Sequence, residues 1–477
     1  MKSNRLGLTE LTCLVIGSII AGGIFNLMHD VATGAGAGAV SISWLITGIG
    51  MGSLALCFQN LVTKRPDLNA GIYSYAEAGF GKYMGFNAAW GYWLSAWLGN
   101  VGYITLCMSA LGYFLPVFGN GQNWPSIILG SIMLWGCHFM ILHGIKSASF
   151  VNIVVTIAKI IPIILFLIIV FLSFKLHIFE HDFWYTPTGK FQFGDVMRQV
   201  KSTMLVMVWT FTGIEGAVIF SGRAKHRKDV GLATILGISS MILLYMLMTL
   251  LSFGVMSRLQ LSHLRQPAMA SILKQLVGPW GAIVINAGIV VALVSALLDW
   301  TMFAGHVPYI ASIHGTFPKL FSKTNHHNSP INSLIITDVC VEIFMFSFLI
   351  TPRAYNFMYS IASSMVMIPY TFSAVYQLKY SLIGDHTNHR TRNIIIGIIA
   401  STYSAWIVYA TGLTYWLLSA WLFALGIPCY VYLQKHDNHR QKVFKTWERW
   451  VAILIVITAI FGVYALVTGQ IAISGNV

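Results

Sequence analysis

The sequence predicts an all-α polytopic membrane protein of about thirteen transmembrane helices, its first ten arranged as two five-helix halves of opposite orientation. Three observations predict it. Of 477 residues, 56% are hydrophobic and only 9% charged, whereas soluble domains carry about 25% charged residues; the mean hydropathy is +0.72. Such a chain cannot cover itself with polar surface. Apolar runs near the 20 residues that a span requires recur along the whole length. Two of those runs are interrupted by glycines at matching places.

The runs lie at 8–28, 39–62, 85–115, 126–143, 150–174, 202–221, 231–255, 280–305, 331–351, 355–378, 394–411, 414–433 and 450–470. The first opens after "MKSNRLGLTE" without a small-residue cleavage site, so it reads as a span and not as a signal peptide. The third is long and must tilt or contain an interfacial turn. With the N-terminus inside, 20 Lys/Arg fall on the cytoplasmic side and eight on the other, a bias that follows the positive-inside rule. This predicts a multi-pass protein of the cell (cytoplasmic) membrane with its N-terminus cytoplasmic. The whole chain 1–477 reads as one membrane transport domain: 8–174 as a first repeat, 202–378 as a second and 394–470 as additional helices. The longest outer loop, about 175–201, is too short to be a domain.

Composition also limits function. The net charge of +14 is explained by the cytoplasmic loops, so no nucleic-acid partner is inferred. The six cysteines, at 13, 57, 107, 137, 340 and 429, lie in apolar runs without CxxC spacing, and neither disulfides nor a metal site is expected. "GAGAGA" at 34–39 lacks the spacing and preceding strand of a nucleotide loop. "SILK" at 271–274 has no catalytic context. No nucleophile–base set stands out, so the expectation is no enzyme and no cofactor.

The first run reads "IGSIIAGGIF" (16–25) and the sixth "TFTGIEGAV" (210–218). Five spans apart, they occupy corresponding positions in the two halves, the pattern of an inverted-repeat transporter that binds its substrate where helices unwind. Unwinding frees backbone groups that hydrocarbon cannot satisfy, so such a break lines a cavity or a solute. The half-helix starting near Gly22 points N–H groups and a positive dipole end inward, which suits a carboxylate.

Of fifteen acidic residues, four lie inside the proposed spans: Glu215, Asp299, Asp338 and Glu342. Charges there cost about 3 kcal/mol or more and face protein or water. Glu215, at a break, can gain and lose a proton during a cycle. Asp299 beside Trp300 reads either as a cradle for an ammonium or imidazolium group or as a counter-ion for a neighbouring helix. Asp338 and Glu342, four residues apart, share a helix face and read as structural, or as facing a partner or the pore edge. Lys159 reads as a fixed cation where a sodium-coupled carrier holds sodium, some ten residues from the loop to which it would otherwise snorkel. In "AAWGYWLSAWLGNVGY" (88–103) most aromatics read as packing or interfacial anchors, while Asn100 needs a partner.

The motifs "GSIIAGGIFNL", "SWLITGIGM", "RPDLNAGIYSYAEAGFG", "GFNAAWGYWLSAWLGN", "GIEGAVIFSGRAKHRKDVG" and "FPKLF" resemble those of basic amino acid/polyamine antiporters of the amino acid–polyamine–organocation superfamily. Within it the chain looks like the arginine/ornithine branch, with histidine/histamine exchangers as a sister. The resemblance covers essentially the whole chain. It implies a LeuT-like 5+5 inverted repeat with spans 1 and 6 broken. Residue by residue, it implies that Ser18, Ile19, Ala21, Gly22 and Gly23 line the first break, and that Tyr92, Ala96 and Asn100 face the site. It implies that Trp209 stacks over the substrate, that Thr210 and Thr212 offer polar contacts, that Glu215 couples binding to gating and that Trp300 is a gating aromatic. Lys159 matches a lysine kept in place of sodium. Ser18 stands where some arginine-selective relatives have asparagine, and Asp299 and His306 depart from the branch. The implied partners are amino acid and amine substrates, the lipid bilayer and a second copy in a homodimer. Exchange of a cationic amino acid for its metabolic product is the function implied, and a proton-coupled amino acid symporter is the alternative.

Overall fold

The computed structural model describes residues 6–68, 71–143, 148–219, 224–351, 353–385, 389–437 and 442–471, without the side chains of 148–158, 217, 219 and 227. The described residues form helices α1 (Leu8–Ile19), α2 (Gly22–Gly34), α3 (Ala37–Lys64), α4 (Ile72–Phe80), α5 (Lys82–Leu111), α6 (Trp124–Leu142), α7 (Ala148–Leu172) and α8 (Leu176–Glu180). Next come α9 (Phe193–Phe211), α10 (Gly216–Ile219), α11 (Arg227–Phe253), α12 (Arg258–Ser262), α13 (Ala268–Val277) and α14 (Pro279–Ile313). The chain ends with α15 (Ile331–Met345), α16 (Ala354–Ile383), α17 (Arg390–Ala410), α18 (Gly412–Tyr432) and α19 (Thr446–Val467). The only extended pairing among them is the bridge Leu6–Ala224.

Each expected apolar run contains a helix or a helix pair. Nine helices among the described residues are long and apolar enough to span a bilayer alone, and α1 with α2, bent by 43°, makes a tenth. The sixth run, expected from 202, starts its helix at Phe193. Its first turns are polar (Asp195, Arg198, Gln199, Lys201) and were invisible to a hydropathy reading; Arg198 stays exposed, while Gln199 is buried. Gln199 Nε2 donates to the carbonyls of Trp184 and Tyr185, each at 2.9 Å, and its Oε1 accepts from Gly36 N at 2.9 Å. The loop before α9 is thereby stapled to the turn between α2 and α3.

At the centre lies α5, buried on almost every face and packed between α14 and α16. It runs unbroken for 30 residues, about 45 Å at 1.5 Å per residue, more than the ~30 Å hydrocarbon core. Its tryptophans are packing residues and not interfacial anchors. Trp90 Nε1 donates to Leu422 O at 2.9 Å, and Trp93 Nε1 to Thr337 Oγ1 at 2.8 Å. These two indoles add large apolar area without an orphan donor, whereas Trp97 Nε1 is buried with no partner among the described residues.

On the face that bears the N-terminus, ionic and polar ties close the bundle. Lys64 pairs with Asp385, Arg65 donates to the Tyr376 hydroxyl, and Thr316 Oγ1 donates to Glu77 Oε2 at 2.7 Å. Asp338 Oδ2 lies 2.6 Å from His138 Nδ1, and Ser131 Oγ donates to Glu342 Oε1 at 2.5 Å. Both contacts join α6 to α15.

Candidate functional site

The first break lies between Ile19 and Gly22, and the second spans residues 212–215. Ser18 ties them together. Its hydroxyl is shared between Val15 O at 2.9 Å and Gly213 O at 2.8 Å. Gly213 has φ +111°, and a Cβ there would meet Ser18 O at 2.8 Å. Left-handed backbone and close approach both demand glycine.

The two ends of the first break are treated oppositely. The carbonyl end of α1 is capped by the protein itself. Lys159 Nζ donates to Gly17 O at 3.2 Å, Trp300 Nε1 to Ser18 O at 3.3 Å and Tyr245 OH to Ile19 O at 3.1 Å. Among the described residues, no side chain caps the N–H end of α2. Its cap residue, Ala21, supplies no side-chain hydrogen bond, and the first-turn N–H groups of a helix have no partner within it. Those glycines press on aromatic walls. A Cβ at Gly22 would meet the Tyr103 ring at 3.0 Å, and one at Gly23 would meet Thr210 Cγ2 at 2.9 Å and Trp209 Cδ1 at 3.1 Å.

Around this N–H end stand Trp209, Tyr103 and Trp300. Trp209 stacks on Tyr359 with centroids 6.2 Å apart, lies 5.4 Å from Tyr103 and donates its Nε1 to Tyr355 OH at 3.2 Å. Trp300 stacks on Tyr92 at 6.4 Å. Ala96 and Asn100 are buried in α5. Asn100 Nδ2 donates to Thr301 Oγ1 at 3.1 Å, and its Oδ1 has no partner among the described residues. Thr210 in α9 and Thr212 just past its end turn their hydroxyl protons back on α9, to Met207 O at 2.8 Å and Val208 O at 3.2 Å. Back-bonding of this kind is usual for mid-helix threonine, and Thr210 turns its methyl toward Gly23.

Glu215 closes the second break from below. Its Oε2 accepts from Gly213 N at 3.2 Å and from the Tyr370 hydroxyl. The Tyr92 hydroxyl lies beside the carboxylate. The two face each other as donor and acceptor in a dry interior, so Tyr92 as well as Tyr370 can hold the Glu215 carboxylate.

Asp299 lies next to the lysine of α7. Its carboxylate lies 3.9 Å from Lys159 Nζ. Successive helix residues point about 100° apart, so Trp300 faces the breaks while Asp299 faces the lysine. The residues that the sequence did not single out are Tyr245, Tyr355, Tyr359, Tyr370 and Asp30. The tyrosines carry no signal in a chain with 20 of them. Asp30 lies two residues past the expected end of span 1, but α2 continues to Gly34 and buries it. No group of three or more His, Cys, Asp or Glu that could hold a metal is found among the described residues.

Two facing helix breaks inside an all-helical bundle with a lipid-like surface are the construction of a secondary carrier. The sequence model of the amino acid permeases matches residues 6–417, and the chain belongs to that family. It is 43% identical to an arginine/ornithine antiporter of Pseudomonas aeruginosa, covering 98% of each chain. It is 42% identical to an arginine/agmatine antiporter of Chlamydia caviae, again over 98% of each, and 39% identical to an arginine/ornithine antiporter of Latilactobacillus sakei over 99% of each. Among solved structures, MhsT in complex with L-phenylalanine superposes with TM-score 0.60 at 14% identity, covering 88% of this chain and 100% of that one. The fold is therefore the LeuT-like one that the motifs imply.

Proposed function

We propose that this chain is an antiporter of the cell membrane, exchanging an external cationic amino acid for its internal metabolic product. The observation that carries the reading is the asymmetry of the first break. Its carbonyl end is satisfied by Lys159, Trp300 and Tyr245, so no coupling cation is needed there. Its N–H end is left to a substrate carboxylate. Near-full-length relatives named arginine/ornithine and arginine/agmatine antiporters support the substrate class.

In this reading, residues 8–174 and 202–378 are the inverted repeats and 394–470 an appended unit, and the N-terminal face is cytoplasmic. Ser18, Ile19 and Ala21 shape the break, and Gly22 and Gly23 donate to the carboxylate. Trp209, with Tyr103, covers the aliphatic part of the substrate from outside, and Trp300 and Tyr92 form the floor. Ala96, Asn100, Thr210 and Thr212 shape the walls. Glu215 holds the floor shut through Tyr370 and is released when substrate engages Tyr92. Lys159, held by Asp299, replaces a coupling ion.

Counterflow tests it. Purified protein in liposomes loaded with arginine should take up labelled arginine against a panel of ornithine, agmatine, histidine and histamine. Empty liposomes should take up none, with or without a proton gradient. In the same assay, Glu215→Gln should lower exchange by about tenfold or more, the size expected for losing a charge-assisted bond. Uptake into empty liposomes that collapses with the proton gradient would establish a symporter instead.

A further inference from the structure

Beyond the Trp209–Tyr359 stack, on the face opposite the N-terminus, lies a cavity of about 500 Å3 whose lining includes Asp30, Arg198, Lys201, Arg353, Asn356 and Tyr359. Its anchor is Asp30, which is only 6% exposed. Oδ1 of Asp30 accepts from Asn26 Nδ2 at 2.8 Å and Asn356 Nδ2 at 3.1 Å, and His29 Nδ1 lies 3.0 Å away. Its Oδ2 is buried and has no partner among the described residues. A carboxylate oxygen without a donor is expensive to bury, and this side chain is closed off just behind the wall of a cavity large enough for an amino acid. The three cations stand differently. Arg198 pairs with Asp195, Lys201 Nζ sits 4.3 Å from the centre of the Tyr409 ring, and Arg353 is exposed at the rim. One deep anion and a cationic wall complement a molecule with a cation at one end and a carboxylate at the other. Asp30 is eight residues beyond Gly22, about 12 Å along the helix axis, so a molecule held here is not yet at the breaks.

We propose that this cavity is an outer loading site for cationic amino acids. The substrate's side-chain cation lies at the Asp30 end, drawn by the covered carboxylate, and its carboxylate faces Lys201 and Arg353, before the Trp209–Tyr359 stack parts. A decarboxylated amine meets the same three cations with nothing to offer them. The site therefore favours the incoming amino acid over the outgoing amine on the side where the amino acid is captured. This rests on the exchanger reading above, and it makes binding unequal on the two sides of the membrane.

The test is sided kinetics on the full chain, comparing right-side-out cells with inside-out vesicles. Asp30→Asn should raise the outer KM for arginine about tenfold, the effect of losing one attraction between nearby charges, and much more than it raises the inner KM. Arg353→Ala should raise the outer KM for arginine more than for agmatine. Thermal melting in detergent separates these effects from misfolding, and if Asp30→Asn does not fold, Arg353→Ala and Lys201→Ala carry the same sided comparison. An unchanged outer KM, or equal changes on both faces in an active exchanger, overturns the loading site alone. A wild-type protein that exchanges no cationic amino acid overturns both this site and the exchanger reading.

Discussion

Lys159 and Asp299 show how one contact changes the meaning of a residue. An aspartate next to a tryptophan invites a cation-binding role, but the helix turn between Asp299 and Trp300 sends them to different neighbours. Lys159 reaches Gly17 O at 3.2 Å with Asp299 behind it at 3.9 Å, so the pair braces the carbonyl end of α1. Removing one member of a buried pair leaves the other uncompensated, typically a loss of about 3–5 kcal/mol. Asp299→Asn and Lys159→Gln should each lower kcat/KM for every cationic and neutral substrate by similar factors, and the double variant should lose less than the two losses combined. A loss confined to the most cationic substrate would show instead that Asp299 touches the cargo.

Among the elements, the break in the sixth run has the most exacting geometry. Its turn holds Gly213 at φ +111°, 2.8 Å in Cβ position from Ser18 O, and Ser18 in turn donates to Gly213 O. Gly213→Ala adds both left-handed strain and a collision with backbone, so destabilisation of at least about 1–2 kcal/mol follows. Melting in detergent should fall by several degrees and exchange should be largely lost. Gly189, also at positive φ but with open space about it, is the control, with alanine there costing the strain alone. The glycine breaks were legible in the sequence because a helix-weakening pair inside an apolar run is a local signal. The Ser18–Gly213 tie, joining residues 195 apart, has no local signature.

At the scale of the molecule, hydropathy located the helical runs because each is a contiguous property of about 20 residues. It failed where burial comes from neighbours and not from composition. Gln199 at the polar start of α9 is covered by the loop around Trp184, Asp30 is enclosed by Asn26 and Asn356, and α16 brings Tyr355 and Tyr359 to Trp209 and Tyr370 to Glu215. These contacts also form a series. Asp30 with Asn356 lies near the far face, Trp209 with Tyr359 below it, and Glu215 with Tyr370 beneath the breaks. The last set, Lys64 with Asp385 and Arg65 with Tyr376, lies at the N-terminal face. Helix α16 or its immediate neighbours contribute to each level, which makes it the element whose tilt can open one level while another stays shut.

The brace at Lys159 has an electrical consequence. A carrier whose resident cation is covalently part of the chain shuttles no ion of its own, so membrane voltage acts only on the difference in charge between the two cargoes. Arginine traded for ornithine should then be indifferent to a potassium diffusion potential. Arginine traded for doubly charged agmatine should be driven by an inside-positive one and opposed by its reverse, with about 2.3 kcal/mol per 100 mV at stake for each turnover. Recording exchange current on a solid-supported membrane, with sodium absent throughout, reads that difference directly.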